Sequence, residues 1–190
     1  MPCRQNPAEA PGMTMRLLFL PLVLSLSACV VVAPVPLGTV TMPGTASTKS
    51  DGRPLTACPA PADAASLRAS ALAQINARRK AAGLAPLRRS AALERAAQSQ
   101  ACDNAARGLY SHTGADGSDL RTRMRRAGYA FRTGAENTAM GFPEPGRLTE
   151  FWMRSPGHRQ NILLPAARDI GIGIADGGRR HWVMVAGASR

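Results

Sequence analysis

Aromatic residues and lysine are both scarce in this chain. Phe, Trp and Tyr make up 4% of the 190 residues, so alanine and aliphatic side chains have to fill most of any core. Because lysine is rare, the formal net charge of +12 comes almost entirely from arginine. Such a charge favours nucleic acid, anionic lipid or an acidic wall polymer as a partner, unless the arginines only solvate helix faces.

Apolar runs long enough to cross a bilayer are also missing. The run from Leu17 to Leu26 has about half of the roughly 20 residues that a membrane-spanning helix needs. It follows a positive charge and has the length of the apolar part of a signal peptide. Residues 1–28 are therefore predicted to be a signal peptide, in which residues 1–14 look like an extension upstream of the true start.

The predicted signal ends in Leu-Ser-Ala-Cys, which resembles the bacterial lipobox. Cys29 is therefore expected to carry lipid and to anchor the chain to a membrane; an ordinary signal peptide with a nearby cysteine is the alternative. Val30 follows in place of Asp, which in the usual Gram-negative sorting pattern directs a lipoprotein to the outer membrane. The sequence thus predicts an extracytoplasmic envelope protein, and export argues against a nucleic-acid partner.

Proline, threonine and small residues dominate residues 29–62, a composition typical of a disordered tether. Residues 63–190 are then expected to form one domain. Cys58 and Cys102 remain once Cys3 and Cys29 are set aside. In an oxidising compartment they could form a disulfide whose loop of about 45 residues stabilises the fold by roughly 3–4 kcal/mol. Two separate thiols are the alternative.

Apolar residues at helical spacing, with glycine or proline at the ends, predict helices over 64–82, 91–107, 118–127 and 146–154, and a further turn over 159–163. The basic residues of the first helix are expected on its solvated side: Arg68, Arg78, Arg79 and Lys80. The third helix carries the densest basic cluster, which either is solvated or contacts phosphate groups or wall acids: Arg121, Arg123, Arg125 and Arg126.

Strand character is predicted for 129–131 and 135–140, with a turn at Thr133-Gly134 between them. A β-hairpin is predicted for 169–186, where alternating Ile and Gly face an aromatic and aliphatic run across the turn at 176–178. Glycines on one face of this hairpin would let a helix pack closely against it. Helices followed by strands indicate the α+β class.

Three short motifs occur in order along the domain. They are Ser111-His112-Thr113-Gly114, Ala135-Glu136-Asn137-Thr138-Ala139, and Trp152 followed by Ser155-Pro156-Gly157-His158-Arg159-Gln160-Asn161-Ile162-Leu163. Together they resemble the CAP domain (cysteine-rich secretory, antigen 5, pathogenesis-related 1) in its short bacterial form, over about residues 64–187. The resemblance implies a three-layer α-β-α sandwich.

The resemblance also implies a cleft with a His-Glu-Glu-His tetrad, which in some members binds a divalent metal through the histidines. By motif, His112 is similar to the first histidine, Glu136 to the first glutamate and His158 to the second histidine. The position of the second glutamate holds Ser155. Glu150 cannot replace it, because five residues correspond to about 140° around a helix.

This departure weakens any acid–base scheme with two carboxylates. Ser155, just before a proline, is expected to cap a helix end, and Asn137 to hold the backbone near the site with its amide. Trp152 is expected in the core, and His181 on an exposed or edge position.

Two histidines and one carboxylate, with water, match the ligand count of an open zinc site. His112 and His158, with Glu136 as a possible third ligand, are therefore the candidates for a divalent metal such as zinc. The spacing alone does not establish such a site, because no His-x-x-x-His pair fixes two ligands on one helix face.

Three functions are compatible with these residues. The favoured one is an envelope-anchored binding module for a lipid, a cell-wall fragment or a partner protein, which needs no turnover. The second is a metal-assisted hydrolase of peptide or wall bonds, with His112, Glu136 and His158 as catalytic candidates. The third is a structural envelope protein without a working cleft.

Overall fold

A computed structural model describes residues 51–190. The predicted signal peptide, the predicted lipidation site Cys29 and the first part of the predicted tether lie outside the described residues. The helices are α1 (Ala64–Ala81), α2 (Ala91–Arg107), α3 (Leu120–Arg126), α4 (Pro145–Arg154) and α5 (Pro156–Ile162). The strands are β1 (Arg88–Arg89), β2 (Phe131–Met140), β3 (Asp169–Gly177) and β4 (Arg179–Ser189).

The four strands form one sheet in the order β1-β3-β4-β2. The two-residue strand β1, which the sequence pattern did not predict, is parallel to β3; the other pairs are antiparallel. Side chains alternate across β4, so Trp182 and Met184 pack with α1, α4 and α5, while Val183 and Val185 pack with α2 and α3. The result is the predicted three-layer α-β-α sandwich. No helix among residues 51–190 combines the length and hydropathy needed to cross a membrane.

Glycines of β3 bring the sheet into direct contact with α2. A Cβ added to Gly171 would lie 2.1 Å from the backbone at Leu93, and one added to Gly173 would lie 2.3 Å from the backbone of Ala97. Both distances are far below van der Waals contact, so only glycine fits at these positions. The predicted role of the hairpin glycines is confirmed.

The segment before α1 is tied to α2. Cys58 and Cys102 form the predicted disulfide across 44 residues, and the Thr56 amide donates to Ser99 Oγ at 3.0 Å. A loop of this length stabilises the fold by about 4 kcal/mol in the chain-entropy model. Residues 51–62, predicted as the end of the tether, therefore lie against the domain.

The predicted turn at Thr133-Gly134 is wrong. β2 runs through these residues and pairs with β4 from Phe131 to Met140, with one irregularity between Phe131 and Thr133. Gly134 is present for packing, because a Cβ there would lie 2.7 Å from Met124 Sδ on α3. A glycine that admits a neighbouring side chain and one that permits a turn look alike in a sequence.

The stretch after α4 also differs from the prediction. The sequence predicts a further helical turn only over 159–163, but α5 begins at Pro156 itself. Proline is well suited to the first helical position, where its missing N–H is not needed. Ser155, with extended backbone at φ −89° and ψ 121°, separates the two helices.

Three side chains are fully buried against prediction: Arg79, Arg123 and His181. The sequence predicts Arg79 on a solvated helix side, His181 at an exposed or edge position, and Arg123 in a cluster that is solvated or contacts phosphate groups or wall acids. Arg79 donates to the carbonyl oxygens of Ala85 and Ile162 at 2.9 and 2.8 Å, so it links the end of α1 to the last residue of α5. His181 lies on β4, which has a strand on each side; the prediction of an edge position is therefore wrong.

Candidate functional site

Glu136 is the centre of the site. It lies on β2, and none of its side chain is exposed. One carboxylate oxygen is 2.9 Å from His112 Nδ1, and the other accepts from Arg123 Nη2 at 2.7 Å. Because an ionised carboxylate only accepts hydrogen bonds, the Nδ1 of His112 donates and its Nε2 keeps a lone pair when the ring is neutral. Both oxygens of Glu136 are therefore engaged inside the protein.

Arg123 holds the site loop as well as the carboxylate. Its Nη1 donates to the Ser118 carbonyl at 2.8 Å and its Nη2 to the His112 carbonyl at 3.2 Å. The sequence predicts Arg123 in a basic cluster that is either solvated or in contact with phosphate groups or wall acids, and so does not identify it as part of the site. The sequence signal that could have identified it is its position on α3 between Leu120 and Met124, which are both buried on the core-facing side of that helix.

The loop that carries His112 is also held from α2. Asn104 donates to the Ser111 carbonyl at 3.1 Å and accepts from the Ser111 amide at 3.0 Å. Gln100 donates to the same carbonyl at 2.8 Å. Both amide side chains are buried, so the loop is fixed by a polar network rather than by apolar packing.

His158 lies in the first turn of α5 and is positioned through its backbone. Asn137, as the sequence suggested, donates to the His158 carbonyl at 3.0 Å. Asn161 joins the network by donating to the Glu136 carbonyl at 3.0 Å and to Asn137 Oδ1 at 2.9 Å. Burial, and secondarily the nearby His112, lowers the pKa of His158, which favours a neutral imidazole at neutral pH.

The two histidines line one open cleft of about 470 Å³. The remaining lining is mainly apolar and aromatic: Tyr110, Thr138, Ala139, Met140, Phe142, Phe151 and Arg179. The Phe151 ring is 4.8 Å from that of Phe142 and 5.8 Å from the His158 imidazole, measured between centroids. These are stacking distances for aromatic rings. The rings of Tyr110, Phe142 and Phe151 form the aromatic wall of the cleft. The sequence motifs did not predict this wall.

Ser155 and Glu150 are absent from the cleft lining. The Ser155 carbonyl accepts from the Arg159 amide at 2.8 Å, but its side chain makes no capping hydrogen bond, so its predicted role as a cap is limited to the backbone. Glu150 is exposed and lies 4.0 Å from Arg154. Trp152 is buried as predicted and donates to the Thr138 carbonyl. None of the described residues that line the cleft carries a carboxylate.

The side chains predicted to bind a metal, His112, Glu136 and His158, supply only part of the ligands that a metal site needs. Within residues 51–190 there is no group of three or more His, Cys, Asp or Glu side chains that could hold a metal ion. Glu136 is occupied by Arg123 and His112, so the set of two histidines and one glutamate does not form. His112 Nε2 and the His158 ring remain, and Nδ1 of His158 is buried without a hydrogen-bond partner in the described part of the chain.

The CAP family model, described as the cysteine-rich secretory protein family, matches residues 72–186. The uncharacterized protein YkwD of Bacillus subtilis (strain 168) is 32% identical over 103 residues. The aligned region is 54% of this chain and 40% of YkwD, so the chain spans well under two thirds of that relative.

Solved structures share the fold at low sequence identity. An outer surface protein of Borrelia burgdorferi aligns with a TM-score of 0.59 and 22% identity, over 63% of this chain and 90% of the other. An extracellular protein containing an SCP domain from Bacillus anthracis gives 0.60 and 21%, over 70% and 45%. A cysteine-rich secretory protein of Staphylococcus aureus gives 0.55 and 21%, over 64% and 38%.

Proposed function

Because the chain belongs to the CAP, or cysteine-rich secretory protein, family, we propose that it is an extracytoplasmic binding module whose cleft holds a ligand against His112, His158 and the aromatic wall. The ligand is a lipid, a cell-wall fragment or a segment of a partner protein with an apolar portion. Turnover is not part of this function.

One observation carries the proposal. Among residues 51–190 the exposed large hydrophobic side chains are Tyr110, at 64%, and Phe151, at 42%, and both line the same cleft. Large apolar side chains left in water at one place mark interaction sites, and burying one stabilises a complex by roughly 1.5–3 kcal/mol. A purely structural role would not need this concentration.

The hydrolase alternative is supported less well. Hydrolysis needs a group that can take a proton from water. Both oxygens of Glu136 are already bound, so this role would fall to the imidazole of His112 or His158 without a carboxylate beside the ligand. The second family glutamate is replaced by Ser155, and the lining formed by residues 51–190 has no carboxylate. The residues present serve to bind and orient a ligand.

A divalent metal such as zinc is a further part of the proposal, held by His112 and His158 and completed by water or by the ligand. Glu136 would then orient His112 through Nδ1, as carboxylates do behind metal-bound imidazoles. A bound metal would supply positive charge to attract an oxygen of the ligand. Calorimetric titration with zinc is expected to show one-to-one binding that His112→Ala/His158→Ala abolishes; equal binding by the variant would exclude this site.

The location is proposed from the N-terminal pattern and from the relatives. Solved relatives are named as outer surface or extracellular proteins, and the signal and Cys29 suggest a lipid anchor on the envelope. Radiolabelled palmitate incorporated into the wild-type chain and absent from Cys29→Ser would support the anchor. Equal labelling of the two would contradict it.

The binding function is tested with N-phenyl-1-naphthylamine, a neutral apolar dye that fluoresces when bound. The purified protein is expected to bind it, and Tyr110→Ala/Phe151→Ala to weaken binding about tenfold or more, because two rings of the wall are lost. Leu84→Ala, which changes a half-buried apolar residue away from the cleft, is the control. Dye binding that is unaffected by the double variant would refute a ligand site here.

A further inference from the structure

The cleft continues beyond the aromatic wall into a second, more open groove of about 820 Å³. The two spaces share Met140 and Arg179. The other residues of the groove are either charged residues or glycine and proline: Gly141, Pro143, Glu144, Asp176, Gly178 and Arg180. Arg179 therefore stands where an apolar space meets a polar one.

The two neighbouring arginines of the groove differ in their contacts. Arg180 lies 3.2 Å from Asp176 and 3.2 Å from Asp63 and also donates to the Pro143 carbonyl, so its charge is neutralised within the protein. The Arg179 side chain is exposed and has no hydrogen-bond or ion-pair partner among residues 51–190. Its guanidinium remains available to a ligand.

The backbone beneath Arg179 is fixed. Arg179 is the first residue of β4, pairs with Gly177 across the hairpin, and follows Gly178, whose φ of 74° closes the turn. Its Cα is thus set by the hairpin while its side chain is free to adjust. Among the described residues that line the cleft, Arg179 is the one permanently charged side chain, and the acids near it, Glu144 and Asp176, line the groove instead.

We propose that Arg179 determines the specificity of the cleft by binding the anionic group of an amphipathic ligand, whose apolar part lies on Tyr110, Phe142 and Phe151. This inference rests on the proposed function and narrows its ligand class. A planar guanidinium pairs with carboxylate, phosphate or sulfonate oxygens through two parallel hydrogen bonds. The groove beyond Arg179 gives space for the ligand to continue past its anionic group.

Two dyes separate the apolar contribution from the anionic one. 8-Anilinonaphthalene-1-sulfonate has the ring system of N-phenyl-1-naphthylamine plus a sulfonate. Arg179→Gln is expected to weaken binding of the sulfonate dye about three- to fivefold, as for a partly exposed ion pair, and to leave the neutral dye within twofold. Raising the salt concentration should remove the difference between wild type and variant for the sulfonate dye.

Arg147→Gln is the matched control, because Arg147 is an exposed arginine on α4 that lines neither space. Arg179→Lys retains the charge without the planar fork and should fall between wild type and Arg179→Gln. Circular dichroism melts of all variants verify that each is folded.

The outcomes are distinct. If Tyr110→Ala/Phe151→Ala weakens both dyes while Arg179→Gln weakens neither, or weakens both equally, the role of Arg179 is refuted and the binding function stands. If the double variant binds both dyes as wild type does, the proposed function itself is refuted. Selective loss of the sulfonate dye in Arg179→Gln supports both.

Discussion

At the residue scale, the pair of Glu136 and Arg123 decides what the cleft can do. Both side chains are almost fully buried. One carboxylate oxygen contacts the Arg123 guanidinium and the other contacts the imidazole of His112. A carboxylate in this situation orients and stabilises its neighbours rather than exchanging protons with a ligand. The same arrangement makes Arg123 indispensable, since it compensates a charge that water cannot reach.

Replacing Arg123 by methionine is therefore expected to destabilise the fold by about 3–5 kcal/mol, the usual effect of leaving a buried charge without its partner. The free energy of unfolding from urea titration measures this. Arg125→Met is the control, because Arg125 lies on the same helix, is only half-buried, and makes no ion pair with a described residue. A loss below about 1 kcal/mol for Arg123→Met would contradict the ion pair.

His181 makes stability depend on pH. Burial lowers its pKa below the ordinary 6.5, although the Leu109 backbone and Asp176 oppose this in part. The folded chain then binds the proton more weakly than the unfolded chain, so stability is complete above about pH 6.5 and falls as the pH decreases. His158, whose pKa is also lowered, acts in the same direction. Asp51, with a pKa of about 2, acts only in a more acidic range.

His181→Leu is expected to flatten this dependence. The variant should lose less unfolding free energy than wild type between pH 7.5 and 5, because a leucine takes up no proton in the unfolded chain. Urea titrations at the two pH values give the difference. An equal loss in both proteins would mean that His181 is not a source of the acid sensitivity.

At the element scale, β3 and α2 depend on each other through glycine. Gly173→Ala would place a methyl group against the Ala97 backbone and should cost about 3 kcal/mol or more, since a helix backbone cannot yield as a side chain can. Gly157→Ala on α5 meets nothing within 4 Å and should be neutral or slightly stabilising. Thermal melts compare the two; equal midpoints would show that the layers can separate at little cost.

The elements with strong patterns were predictable from the sequence, and the exceptions have physical reasons. The hairpin β3–β4, α1 and α2 follow from alternation and helical spacing. The turn at Gly134 was predicted wrongly, because a glycine that makes room for a neighbouring side chain cannot be told from a turn glycine in the sequence. The burial of Arg79, Arg123 and His181 was not predicted because polar side chains are usually exposed. Arg79 and Arg123 each have partners outside their own helix, which the helix pattern does not reveal. The aromatic wall was not predicted, since Phe142 and Phe151 meet only after α4 is placed.

At the scale of the whole molecule, the site is assembled from every layer of the sandwich. Glu136 and Asn137 come from the sheet, Arg123 from one helical layer, and His158 from the other. The meeting of His112 and Glu136, which the motifs implied only by family resemblance, is a direct contact. A separation of any one layer would therefore disturb the cleft.

The disulfide between Cys58 and Cys102 also determines how the molecule would carry mechanical tension. A pull on the N-terminal end of the chain arrives at Cys58, which precedes α1, and crosses the covalent bridge directly into α2. Because α2 lies against the glycines of β3, the force enters where the helix and sheet backbones are in close contact. α1 lies inside the loop that this bond closes, so a pull on the chain before Cys58 would not unravel the domain from its first helix.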